Sequence, residues 1–161
     1  MGTYRELDRI DFEILAALRK NARLPNNRLA ERIGVAPSTC LERVRRLHVD
    51  GILQGFHAEI DHRALGIHLQ AMIAVRLTRH RRDQVDAFHD ELLELPEVLS
   101  VYHVAGENDF LVHVGVPDSD ALRDLVLEVF VGRPDMAHVE TSLIFEHART
   151  WKLPRGAEPI G

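Results

Sequence analysis

Cysteine, lysine and tryptophan are nearly missing from this chain. Among 161 residues there is one cysteine, Cys40, one tryptophan, Trp151, and two lysines, Lys20 and Lys152. A single thiol excludes an intrachain disulfide and fits a reducing compartment. With so little lysine, arginine carries almost all the positive charge, so an arginine-rich segment means less here than elsewhere. No apolar run approaches the roughly 18 residues of a membrane span. The first residues, MGTYRELDRIDFEIL, are charged and helix-patterned and lack the apolar stretch of a secretory signal, which predicts a cytoplasmic protein. No phosphate-cradling loop, no GxSxG and no acid–base pair tied to a pocket is present, so no catalytic residue is assigned and an enzyme is not expected. HxH, HExxH and CxxC spacings are likewise missing, and no metal ligand is assigned. The ten histidines do include a cluster, His57, His62 and His68 with His48 nearby. That cluster leaves a metal- or pH-responsive repressor open as a lesser alternative.

Hydrophobic residues make up 45% of the chain, enough for one packed domain or two small ones. The net charge of -5 is unevenly spread. Residues 1–56 hold ten Lys/Arg and seven Asp/Glu, a balance of +3, and residues 57–161 hold ten and eighteen, a balance of -8. A basic front joined to an acidic back suits a DNA-binding module coupled to an assembly or regulatory module.

The front module reads as three helices. Leu7, Ile10, Ile14 and Leu18 recur at helical spacing over Leu7–Lys20, with Phe12 on the opposite face. Pro25 suits the first turn of a second helix carrying Leu29 and Ile33, and Gly34 can end it in the left-handed conformation. A third helix starts near Pro37, with Cys40, Val44 and Leu47 as its buried stripe. Its other faces carry Ser38, Thr39, Glu42, Arg43, Arg45 and Arg46. Ser and Thr can reach base edges or phosphates, Arg can pair with guanine or phosphate, and Glu can accept from a cytosine amino group. Glu42 could equally pair with Arg46 along the helix. After the Asp50–Gly51 turn, Ile52–Phe56 reads as a short wing strand in which Gln54 could touch the DNA backbone. Together these features predict a winged helix-turn-helix over residues 1–60 that binds double-stranded DNA.

Residues 61–68 read as a hinge, and the pattern then changes. Strands are expected over Leu69–Leu77, Val98–Ala105, Phe110–Val116 and Val139–Phe145, with helices over Asp83–Leu93 and after an Asp118 or Ser119 cap. The order βαββαβ predicts a ferredoxin-like sandwich, so the class is α+β. Two helices cover one sheet face, and apolar side chains such as Leu, Val and Tyr on the other face would bury it against a second copy. This module is expected to span residues 69–150 and to build a homodimer. Residues 151–161 read as a loosely ordered Pro/Gly-rich tail whose Trp151 could dock on a neighbour.

The segments LDRIDFEILAALRKNAR, LAERIGV and PSTCLERVRRLHVDGILQGF, then ALG and VYHVAGENDFLVHV, stand in the order and spacing of one family. Over residues 6–147 the chain resembles the Lrp/AsnC, or feast/famine, transcription regulators. The resemblance implies a RAM-type second module, dimers that assemble to tetramers or octamers, and an amino-acid effector between regulatory domains. It maps the effector loop onto Tyr102, His103, Val104, Ala105, Gly106, Glu107, Asn108 and Asp109. Nucleoid association in the cytoplasm follows from the same likeness. On their own terms, Gly106 permits close backbone approach and Asp109 could bind an α-ammonium group. Asp109 could instead satisfy backbone donors in a plain Gly-Asx turn. Two departures stand out. Relatives often carry Ser where this chain has the helix-capping Ala36, and Ser or Thr where it has Ala105. A ligand-free architectural DNA binder is therefore the main alternative.

Overall fold

The computed structural model describes residues 5–79 and 81–154. The chain separates into two compact units. One takes the chain up to Glu59 together with the segment from Ala148, and the other is Ile60–His147.

The first unit contains α1 (Arg9–Lys20), α2 (Asn26–Ile33) and α3 (Pro37–Val49). Helix α1 starts two residues later than its apolar spacing suggests, because Asp8 caps it. The Asp8 carboxylate accepts the Asp11 N–H at 2.9 Å, and the Asp11 carboxylate accepts the Asp8 N–H at 3.3 Å. Both carboxylates thus satisfy orphan donors of the first turn. Pro25 precedes α2 as its cap and not as a first-turn residue. Gly34 ends α2 with φ 71°, a conformation that costs glycine little. Helix α3 begins at Pro37, and its capping residue Ala36 supplies no side-chain hydrogen bond. Ile14, Leu18, Leu29, Ile33, Cys40 and Leu47 form the core, with Leu7, Ile10 and Val44 packed against it. The expected strand over Ile52–Phe56 is not formed among the described residues. Ile52 and Leu53 both donate their N–H to the Leu47 carbonyl, at 3.0 and 2.9 Å. Both also pack on the core. A strand would send these successive side chains to opposite faces.

The second unit opens with a short 3₁₀ turn, His62–Leu65, and continues as β1 (Leu69–Leu77), α4 (Arg82–Leu93), β2 (Val98–His103), β3 (Phe110–Val116), α5 (Ser119–Leu125) and β4 (Met136–Leu143). Asp118 caps α5 by accepting the Ala121 N–H at 2.9 Å. The helix runs on into a π-helical turn, Val126–Val131, that carries the buried Phe130. The strands form one antiparallel sheet in the order β2-β3-β1-β4, the ferredoxin-like arrangement. Strand β2 stops at His103, short of Ala105, where the Val104 N–H turns to the Asp109 carbonyl at 2.9 Å. Strand β4 begins and ends earlier than expected. It pairs with β1 from Met136 opposite Leu77 to Leu143 opposite Ala71, and Phe145 lies beyond it, exposed.

Ala71, Ile73 and Val75 of β1 and Val112 and Val114 of β3 point at the helices, where Phe88, Phe110 and Phe130 meet edge-to-face at 5.3 and 6.4 Å. The opposite sheet face is mixed and not simply apolar. Leu111 and Tyr102 are paired there, as are Met72 and His113, while the valines turn to the core. Near the start of β1, Gln70 bridges two histidines: its Oε1 lies 2.9 Å from His113 Nε2 and its Nε2 lies 3.1 Å from His62 Nδ1. Among the described residues no helix is long and apolar enough to cross a membrane.

Candidate nucleic-acid interface and ligand loop

Helix α3 leaves a polar surface open because the core takes only one stripe of it. At about 100° per residue, Cys40 and Leu47 point together, and Ser38, Glu42 and Arg45 lie on the far side. Ser38, Thr39, Glu42, Arg45 and Arg46 are all exposed. Among the described residues none of these five side chains is engaged in an internal hydrogen bond or ion pair, and the pairing of Glu42 with Arg46 is not formed. Leu41, which periodicity alone does not single out, is exposed on the flank of the same surface. Gln54 is exposed in the segment after α3, whose position is held by a 2.9 Å contact between His48 Nδ1 and the Leu53 carbonyl.

Arg43 is placed differently. Its Nη1 donates to Asp8 Oδ2 at 2.7 Å and to Asp11 Oδ1 at 3.0 Å. The other Asp11 oxygen accepts from Arg5 at 2.7 Å, and Arg5 Nε reaches Asp50 at 2.8 Å. Asp11 is fully buried, so one carboxylate ties the middle of α3 to the start of α1. Burial pushes the Asp11 carboxyl up, but hydrogen bonds from Arg5, the Asp8 N–H and Arg43 outweigh it and hold the group below its ordinary range. Burial, opposed by the Asp11 N–H and by Arg43, acts the same way on Asp8, which is also lowered. Burial alone raises the Cys40 thiol, which keeps it protonated in the core.

The end of β2 and the loop that follows it hold the eight residues Tyr102 to Asp109. Gly106 has φ 150°, a backbone that favours glycine. Tyr102, His103, Ala105 and Glu107 are exposed, and the His103 ring stacks on Phe110 at 4.9 Å. Val104 and Asn108 are half-buried, and the Asn108 Oδ1 has no hydrogen-bond partner among the described residues. The Asp109 carboxylate accepts the Leu77 N–H at 2.7 Å, and its own N–H donates to the Val75 carbonyl at 2.8 Å. Asp109 therefore fastens the loop to β1.

The first unit also holds a groove of about 430 Å³ between α1, residues 52–59 and the returning chain. Leu15, Leu18, Phe56, Trp151 and Leu153 line it. Trp151 lies here, with the Arg149 guanidinium 5.7 Å from its ring, and Arg19 donates to the Thr150 carbonyl at 3.3 Å. Residues 151–154 of the expected loose tail, and with them 148–150, expected in the second module, thus group with the first unit. The remainder of that tail, 155–161, lies outside the described residues. Among the described residues no group of three His, Cys, Asp or Glu side chains could hold a metal ion.

A helix-turn-helix with an open polar face, followed by a four-stranded ferredoxin-like unit, defines a DNA-binding regulator with a separate sensing module. Comparison with known proteins gives the family. Residues 7–54 match the winged helix-turn-helix DNA-binding domain and residues 70–151 the Lrp/AsnC ligand binding domain. The chain is 46% identical over 156 residues to the HTH-type transcriptional regulator AldR of Mycolicibacterium smegmatis, covering 97% of this chain and 88% of that one. It is 34% identical over 145 residues to the leucine-responsive regulatory protein of Escherichia coli K12, covering 90% and 88%. A transcriptional regulator from Neisseria meningitidis, solved as its L-Met complex, superposes with a TM-score of 0.83 at 32% identity, covering 92% of this chain and 96% of that one. This chain belongs to the Lrp/AsnC family and is an HTH-type transcriptional regulator with a ligand-binding domain.

Proposed function

We propose that this protein is a homodimeric, sequence-specific regulator whose α3 reads double-stranded DNA and whose β2–β3 loop binds an amino acid. The observation that carries the reading is the exposed, unengaged row Ser38, Thr39, Glu42, Arg45 and Arg46 above a buried Cys40–Leu47 stripe. Ser38 and Thr39 take base edges or phosphates, Arg45 and Arg46 take guanine or phosphate, Glu42 takes a cytosine amino group, and Gln54 takes the backbone. Arg43 leaves this set, because its guanidinium is committed to Asp8 and Asp11. It holds α3 at its working angle.

The L-Met complex of the Neisseria relative supports an amino acid as the class of effector. In this chain the loop offers Tyr102, His103, Val104, Ala105, Gly106 and Glu107 around an unpartnered Asn108 Oδ1, an acceptor suited to an ammonium group. Asp109 orders the loop through Leu77 while contributing negative charge. The mixed outer sheet face meets a second copy, and dimers assemble further to tetramers or octamers. Residues 61–68 act as the hinge, and the protein works in the cytoplasm on the nucleoid.

Selection from a random duplex library, followed by footprinting, tests the reading. It predicts a two-fold symmetric site with half-sites about 34–36 Å apart, or a multiple of that spacing. Absence of any selected sequence would overturn it. Calorimetry against the twenty amino acids tests the effector. Binding that Asn108→Ala abolishes supports the loop, and heat from none of the twenty leaves the ligand-free architectural binder, for which Asp109 is purely a turn residue.

A further inference from the structure

Leu41 has 59% of its surface exposed, on the helix that the core of the first unit holds by Cys40 and Leu47. Packing inside the unit gives no reason for it, since the core is filled without it. A plain solvated position favours a polar residue, and every other exposed residue from Ser38 to Arg46 is polar or charged. Its place on the helix is specific. At about 100° per residue Leu41 stands about 60° from Ser38 and about 40° from Arg45, one turn apart on the same flank. Unlike the exposed Val49 in the last turn, it lies near the N-terminal end of α3. That end of a recognition helix is the one that approaches base edges.

The major groove offers a leucine one apolar partner, the C5 methyl of thymine. We infer that Leu41 packs on a thymine methyl in each half-site and sets sequence preference at that position, while Arg45 on the same flank takes a neighbouring guanine or phosphate. Leucine has no donor or acceptor, so it contributes by burying the methyl and by leaving any polar group at the same base edge unpaired. The inference rests on α3 being the DNA-reading helix.

The test uses the intact protein and a duplex it selects from a random library. Each thymine of that duplex is replaced in turn by deoxyuridine, which removes only the methyl. The expected result is one position per half-site where the replacement weakens binding about fourfold, the value of one buried methyl-sized group. Leu41→Ala binds the unmodified duplex more weakly by at least that factor and no longer distinguishes thymine from uracil there. Its salt dependence is unchanged, because leucine neutralises no phosphate. Indifference of the unaltered protein to uracil at every position overturns the inference, as does Leu41→Ala that keeps the same uracil sensitivity. Failure to select any DNA is a separate result, and it overturns the reading of α3 itself.

Discussion

The first unit buries a carboxylate, Asp11, at the joint between two helices, whereas the second buries three phenylalanines between helices and sheet. Short helices with few large side chains enclose little apolar surface, so orientation in the first unit falls to the chain Asp50–Arg5–Asp11–Arg43–Asp8. Such a network fixes geometry more than it adds stability, and it fails badly when one member is lost. A sheet closed by Phe88, Phe110 and Phe130 depends on volume. The difference matches the tasks. On the proposed function, the helix assigned to DNA is tied by directional bonds, and the unit assigned to the ligand is filled.

The largest expected effect is in the filled unit. Phe88→Ala should cost about 3–5 kcal/mol, seen in chemical unfolding of the second unit by far-UV circular dichroism. Next is the tied unit. Asp11→Ala leaves Arg5 and Arg43 facing an apolar gap and should cost about 3 kcal/mol, since each guanidinium keeps some access to water. Trp151, the only tryptophan, belongs to the first unit, so its fluorescence should follow this loss.

Acid separates the units further. Asp8 and Asp11 are held below the ordinary value of 3.8, so the first unit keeps their contribution above about pH 3.8 and loses it as pH falls through the folded-state values. His113 in the second unit is lowered from 6.5 by burial and by the neighbouring His147 and His62. Its neutral form therefore stabilises the sheet above about pH 6.5, and that contribution is lost as pH falls through the lowered value. A pH titration followed by both signals should show the second unit weakening first, and His113→Gln should remove that step. The smallest effect is at a helix end. Ala36→Ser supplies the acceptor that α3 lacks and should raise the stability of the first unit by about 1 kcal/mol.

Most of the fold was legible because it rests on periodicity. The alternation over Leu69–Leu77 and Phe110–Val116 marks β1 and β3 to the residue, and Gly34 and Asp118 mark helix ends by conformation and capping. What escaped depends on tertiary partners. Arg43 shares polarity with Arg46, yet at about 100° per residue it lies only about 40° from Leu47, so it reaches the Asp8 and Asp11 carboxylates at the start of α1. The missing strand at Ile52–Phe56 follows from two successive apolar residues both turning inward, a packing choice that composition does not display. Asp109 reads equally well as a ligand group or a turn residue until β1 is placed beside it. The mixed outer sheet face follows from register, which put His113 opposite Met72.

The central claim is that Arg45 and Arg46 meet DNA while Arg43 holds the helix that carries them. The salt dependence of DNA affinity tests it most directly. For Arg45→Ala with Arg46→Ala, the slope of log Kobs against log salt should shrink by about 0.9 for each phosphate no longer neutralised, with first-unit stability unchanged. For Arg43→Ala the slope should stay that of the unaltered protein while the Trp151-detected unfolding midpoint falls. A reduced slope for Arg43→Ala at full stability would contradict the account.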